Sequence, residues 1–277
     1  MAGHSSARRG ATRYSAAMGH IQRVTSGPLA DFVDYLWLSE GYAPAHGAER
    51  ILPTGRMGLV LDVGGDAGSA GFVSGARTTS FVLDTSRPLS LIGAGFKAGG
   101  GYAFFGLPAG ELQELSVPLD AVWGSAAQLL RAQLLETPGT ATRFGILERY
   151  LVARLRGSPP RSALVSFALQ AFQSPQGRVS VGEIVDRTGV SARRFIAQFR
   201  QQVGLAPKAF CRIQRFRQVL RCISDATEVD WTQTALACGY YDQAHFNHEF
   251  REFAGVSPSA YLACRTASLN HLRIPDR

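Results

Sequence analysis

Arginine, glutamine and asparagine side chains in the last third of this 277-residue chain carry its clearest chemistry. A guanidinium can take guanine O6 and N7 together, and a carboxamide can pair with adenine N6 and N7. Arg193, Gln243 and Asn247 stand on helix-like stretches that could present them so. Other chemistries fail on spacing. His245 and His248 lie three apart with Cys238 near them in sequence, but the chain has no C-x-x-C and no H-E-x-x-H, so no metal is expected. The histidines before residue 200 are His4, His20 and His46, and no Ser/His/Asp or paired-carboxylate set assembles around them. No catalytic residue and no cofactor follow from the sequence. The glycine run at 93–101 lacks a G-K-[ST] ending and dinucleotide spacing, and it reads as a strand end and turn.

Two repeated layouts position those side chains. In the first, Ser180 and Glu183 form an S-x-x-E helix start, Ile184 and Val185 give an apolar face, and Gly189-Val190-Ser191 break the helix. A second helix begins at Ser191. Its stripe Phe195, Phe199, Val203 packs inward, leaving Arg193, Arg194, Ala197 and Arg200 to point elsewhere, and Gly204 stops it. In the second layout Trp231, Ala235 and Leu236 supply a short helix, Gly239 turns the chain, and Asp242 caps a helix carrying Phe246, Phe250 and Phe253. Between them Pro207–Ile223 reads as a connecting helix with a broad apolar stripe, leaving Arg212, Arg215 and Arg221 to solvent or phosphate.

These segments resemble the DNA-binding region of the AraC/XylS family of bacterial transcription regulators. The motifs that carry the resemblance are V-G-E-I-V at 181–185, S-A-R-R-F-I-A-Q-F-R at 191–200, G-L-A-P-K-A-F at 204–210, A-L-A-C-G-Y at 235–240, D-Q-A-H-F-N-H-E-F-R at 242–251 and G-V-S-P-S-A-Y at 255–261. The resemblance implies two recognition helices in adjacent major-groove segments, about 34 Å apart. It turns Arg193, Ile196, Ala197 and Arg200, and then Gln243, Ala244, Asn247 and His248, toward base edges. Ala197 departs from the family, where an arginine is frequent. Backbone phosphate contacts are expected from Arg194, Arg212, Arg215, His245 and Arg251.

Charge agrees. The chain carries a formal +8, of which residues from Arg161 onward hold a net +6, and a basic surface attracts the phosphate backbone. The four cysteines, Cys211, Cys222, Cys238 and Cys264, fall on apolar or mixed faces of the same region, as small hydrophobes in a reducing, cytoplasmic setting. Their absence before residue 211 excludes the cysteine-dependent DNA-repair variant of this architecture.

At 45% hydrophobic and 18% charged, the composition is that of an ordinary globular protein, and the length suggests two domains. The expected class is α+β: a disordered basic tail at 1–20; a β-rich barrel- or sandwich-like domain with flanking helices at 21–156; a linker at 157–160; an all-α tandem helix-turn-helix domain at 161–265; and a C-terminal tail at 266–277. Strands are expected at Arg50–Leu52, Leu59–Val63, Gly71–Ser74, Thr79–Leu83 and Leu89–Phe96. A helix with Phe32, Tyr35 and Leu36 precedes them, and helices near 107–115, 121–136 and 143–156 follow. R-I-L-P-T-G at 50–55 and G-F-K-A-G-G-G-Y-A-F-F-G-L-P at 95–108 resemble a poorly characterised version of the family's amino-terminal domain. Phe96, Lys97, Tyr102, Phe104 and Phe105 could line an effector pocket, though alternating aromatics in a strand also make core.

The resulting expectation is a sequence-specific DNA-binding transcription regulator, not an enzyme, whose partner is double-stranded DNA. A small-molecule effector or homodimerisation would control it, RNA polymerase would join if it activates, and no membrane is involved. The alternatives are an enzymatic N-terminal domain fused to a DNA-targeting domain, and an architectural binder without an effector.

Overall fold

The computed structural model describes residues 20–64, 70–158, 160–174 and 179–274, and the backbone of 12–15. Most of the tail expected at 1–20 therefore lies outside the described residues. Thr12–Ser15 (β1), however, form a strand antiparallel to His20–Val24 (β2).

The N-terminal region holds two antiparallel sheets that do not close into a barrel. Along the seven-stranded sheet the order is β1, β2, β3 (Val33–Tyr42), β8 (Leu89–Phe96), β5 (Gly58–Asp62), β6 (Phe72–Ser74) and β9 (Ser116–Pro118). The smaller sheet pairs β4 (Ala48–Ile51) with β7 (Phe81–Asp84) on one side and β10 (His271–Arg273) on the other.

Strand β3 corrects the helix expected around Phe32, Tyr35 and Leu36. Leu36 and Leu38 are fully buried while Tyr35 and Trp37 take the other face, a period of two. In so short a window, apolar residues at 32, 35 and 36 fit either period. The same pairing explains the glycine run. Trp37 and Tyr35 sit opposite Gly93 and Gly95 across the β3–β8 ladder, and a Cβ on either glycine would lie 2.7 Å from the facing ring. Glycine here makes room for a cross-strand aromatic.

The helices after the sheet are α1 (Tyr102–Phe105), α2 (Leu119–Trp123), α3 (Ser125–Glu136) and α4 (Thr140–Leu155). The helix expected at 107–115 shrinks to a single 3-10 turn at Ala109–Glu111. Then follow α5 (Ala163–Gln173), α6 (Val181–Thr188), α7 (Ala192–Val203), α8 (Pro207–Cys222), α9 (Trp231–Cys238), α10 (Gln243–Ala254) and α11 (Pro258–Cys264).

Core packing ignores the boundary that composition suggests. One continuous hydrophobic core runs from Leu29 through the sheet, α3 and α4 to α5, α6 and α7, ending at Leu205 and Phe210. The second core comprises Ile213 to Leu272 of the C-terminal region plus one residue from the N-terminal region, Leu52. Within the expected linker, Ser158 donates to the carbonyl of Ala103. The expected C-terminal tail is likewise built in at His271–Arg273, where β10 pairs with β4, and Leu52 N donates to Asn270 O at 2.8 Å. A three-residue strand whose partner lies over 200 positions earlier leaves no local signature.

Candidate nucleic-acid interface

Both helix-turn-helix units are built by capping chemistry that the sequence spells out. Ser180 Oγ accepts from Glu183 N at 3.1 Å while Glu183 Oε2 accepts from Ser180 N at 2.6 Å, a closed capping box on α6. Ser191 accepts from Arg194 N at the head of α7, Asp230 from Gln233 N on α9, and Asp242 from His245 N on α10. Gly189 and Gly239 end the first helix of each unit at φ 65° and 92°, left-handed values that glycine accepts without a Cβ clash.

Each second helix buries an aromatic stripe and exposes a polar face. On α7, Phe195, Phe199 and Val203 are buried, and the Phe199 ring lies 5.6 Å from Phe210. On α10, Phe246, Phe250 and Phe253 are buried against Trp231 and Phe216, with centroids 5.9 Å and 5.2 Å away from Phe246 and Phe250 respectively. The opposite faces carry the residues expected toward DNA. Arg193, Arg194, Ile196, Ala197 and Arg200 are exposed on α7; Gln243, Ala244, His245, His248 and Arg251 are exposed on α10, and Asn247 is half-buried. Gln243 is steadied by Thr232, whose hydroxyl donates to its Oε1 at 2.8 Å, which leaves the amide nitrogen to face outward. Arg200 sits at the far end of its helix, where its stem and carbonyl lie against Gly110 of the N-terminal region.

Arg212 and Arg215 occupy a different environment. Arg212 Nε donates to Glu249 Oε2 at 2.8 Å and its Nη2 to Glu252 at 2.5 Å, while Arg215 Nη2 lies 3.3 Å from Glu249. Burial works against the Arg212 charge, but the bonds to Glu252 and Glu249 outweigh it and raise its pKa. These ion pairs pin α8 to α10. Glu249 is the residue sequence reasoning missed: an acidic side chain only 3% exposed, one turn after His245, which stands 3.8 Å from it. Tyr241 was also passed over, although it is 86% exposed immediately before the Asp242 cap.

The residues expected along an effector pocket separate. Phe96, Phe104 and Phe105 are buried in the first core with centroid contacts of 5.1 Å and 5.5 Å from Phe96, and Phe105 stacks on Trp123; Lys97 is exposed and Tyr102 half-buried. Two open depressions beside α4, lined by Gln133, Glu148, Arg149, Tyr150, Val152 and Arg156 among others, contain none of them. Among the described residues no disulfide joins the four cysteines: Cys238 is buried, Cys211 and Cys264 half-buried and Cys222 exposed, and burial pushes the Cys211 thiol up to about 11. Among the described residues no group of three or more His, Cys, Asp or Glu could hold a metal, and no helix is long and apolar enough to cross a membrane.

Comparison with known proteins matches residues 184–263 to a helix-turn-helix domain family and residues 23–118 to a domain of unknown function (DUF6597). The chain is 35% identical over 94 residues to the HTH-type transcriptional activator RhaS of Escherichia fergusonii, covering 33% of this chain and 32% of RhaS. It is 26% identical over 95 residues to the HTH-type transcriptional regulator MtrA of Neisseria gonorrhoeae, covering 33% of this chain and 30% of MtrA. The chain thus spans about a third of the length of the curated relatives it matches. Among solved structures, a probable AraC family transcriptional regulator from Rhodopseudomonas palustris is 27% identical, with a TM-score of 0.30 over 36% of this chain and 91% of that one. ToxT from Vibrio cholerae is 9% identical, with a TM-score of 0.41 over 92% of this chain and 98% of that one. With its two capped units, connecting helix and outward polar faces, the C-terminal region of this chain is a helix-turn-helix domain, matched as such over residues 184–263 and similar there to transcription regulators such as RhaS.

Proposed function

We propose that the protein is a sequence-specific DNA-binding transcription regulator whose C-terminal region reads duplex DNA. The observation that carries this reading is the pair of recognition helices, each fixed by buried aromatics on one side and free on the other. On α7, Arg193 reads guanine through its fork, and Ile196 and Ala197 meet thymine methyl groups. On α10, Gln243, Ala244, Asn247 and His248 face bases. Arg194 and Arg251 take phosphates, with His245 at the rim. Arg200 reaches the duplex only at the edge of the face, because Gly110 flanks it. Arg212 and Arg215 already hold Glu249 and Glu252, so their part is to fix α10 rather than to neutralise phosphate.

The test is selection from random duplexes with the full chain, followed by affinity measurements over a range of salt. A log–log slope of about −0.9 per phosphate neutralised is expected. Arg193→Ala should relax preference at one base pair at about 1–3 kcal/mol, and Arg251→Ala should weaken all duplexes alike. No enriched sequence, or equal losses on selected and random duplexes for both variants, would remove the reading.

A further inference from the structure

Helix α8 carries arginines on two faces, and they are treated differently. Arg212 and Arg215 each meet a carboxylate. Gln214, Arg217 and Arg221, spaced by three and four residues, share another face, on which Arg217 meets the charges of the N-terminal region and Arg221 is exposed. Gly55 packs so closely on α8 that a Cβ there would lie 2.9 Å from Ile213 Cγ2, which brings Arg56 beside the next turn of the helix. Tyr35 and Asp34 of β3 complete the surroundings. The charged and titratable groups that act on Arg217 are Arg56, Arg221, Tyr35 and Asp34, so two further guanidiniums and a single carboxylate make up its charged neighbourhood.

That carboxylate is already engaged, since Asp34 pairs with Arg56 Nη1. Among the described residues Arg221 donates only to the neutral Gln218, at 2.7 Å. Three donor atoms, Arg56 Nε, Arg217 Nη1 and Gln214 Nε2, are shut off from solvent with no hydrogen-bond partner among the described residues. Burial first, then repulsion from Arg56 and Arg221, pushes the Arg217 guanidinium down to about 10. A structural arginine is expected to look like Arg212, with its counter-ions in place. A buried guanidinium nitrogen without an acceptor is costly, and such unmet donors concentrate at functional sites. The group that would satisfy these donors is an anion offering two or three acceptor oxygens to planar forks.

We propose that the junction of Arg56, Gln214, Arg217 and Arg221 is a binding site for a small oxyanion, a metabolite bearing a phosphate or carboxylate group. Because its donors come from both the N-terminal region and α8, an anion there favours the docked arrangement of the two. Only the consequence for DNA affinity rests on the reading given under Proposed function; anion binding itself does not.

The test uses the full-length chain without DNA. Inorganic phosphate in one arm and succinate in the other are titrated at constant ionic strength held with chloride, read by calorimetry and by thermal unfolding. Saturable one-to-one binding with a Kd of about 1 mM or tighter is expected in at least one arm, with melting that rises with occupancy, and the tighter arm names the chemistry. Arg217→Met should abolish the saturable response while melting, without anion, at or above the wild-type temperature; a merely structural arginine would melt lower. Arg221→Gln, at the exposed rim, should weaken binding by about tenfold. The site is refuted by no saturation in either arm, by the same response in Arg217→Met as in the wild type, or, should that variant not fold, by unchanged affinity in Arg221→Gln. A chain that binds phosphate but selects no duplex would instead break the DNA reading.

Discussion

The two helix-turn-helix units are built alike and housed differently. The first shares one core with the β-rich region: Phe195, Phe199 and Val203 belong to the same cluster as Leu59, Phe96 and Leu147, and Gly204 lies against Ala76 and Ala109. The second has a core of its own, joined to the N-terminal region by Leu52, by Arg50 donating to Ala254 O, and by the strap β10. Helix α8 crosses from one to the other, Phe210 in the first core and Ile213 onward in the second. The first unit is therefore a fixed extension of the N-terminal region, and whatever moves relative to it moves the second.

Matched core truncations are the strongest way to break that comparison. Phe199→Ala and Phe250→Ala each empty a fully buried phenylalanine site, which costs about 3–5 kcal/mol. Their reach should differ. Amide exchange should accelerate across α7 and the seven-stranded sheet in Phe199→Ala, but only from α8 to α11 in Phe250→Ala. If Phe199→Ala left the sheet as protected as before, the shared core would not be one cooperative unit.

The next effect concerns the strap. Glu49 of β4 is fully buried; Tyr42 and His46 reach its Oε1, and His271 of β10 lies 2.7 Å from its Oε2. Burial would raise its pKa, but the bonds from His271, Tyr42 and His46 outweigh it and hold the carboxyl at about 2, below the ordinary 4.5. A depressed carboxylate contributes stability that is complete above its unfolded pKa and lost as pH falls toward its folded one. Between pH 4.5 and about 2 the wild type should lose about 3 kcal/mol through this group. Glu49→Gln should flatten that part of the curve, as read by denaturant unfolding at a series of acid pH values. An identical acid slope in the variant would mean that the carboxylate is not what fastens β10.

How much of this was legible follows the range of the interactions. The caps Ser180, Ser191 and Asp242 and the stripes of α7 and α10 are set within a few residues, and they stand where the sequence puts them. Strand β8 was legible with its bounds because glycines and a turn punctuate it. Strand β3 was not, because a short apolar run fits two periods, and β10 was not, because its partner is remote. The arginines of α8 show the limit most clearly. Arg212 and Arg217 are the same residue on the same amphipathic helix, and only the element packed opposite gives one an ion pair and leaves the other a buried Nη1 without a partner among the described residues. Fusion of the first unit with the sheet was hidden for the same reason: an apolar stripe announces burial without naming its partner.

The smallest test compares the two recognition helices at their first turns. Ser191 offers α7 a neutral cap with a 3.3 Å bond to Arg194 N, whereas Asp242 offers α10 a carboxylate at 2.7 Å from His245 N. A charged acceptor at a helix N-terminus also meets the positive end of the helix dipole, so the second cap is the stronger. Asp242→Ala should cost about 1–2 kcal/mol and Ser191→Ala about half that. The loss should also be housed differently: the shared core keeps α7 in place, so Ser191→Ala frays only the turn that carries Arg193 and Arg194. The second unit has the smaller core, so Asp242→Ala should lower protection along all of α10. Thermal unfolding of both variants, with exchange of the amides at Arg194 and His245, separates these outcomes. Equal losses confined to the first turn of each helix would show that the two cores hold their recognition helices equally well, which the difference in housing does not allow.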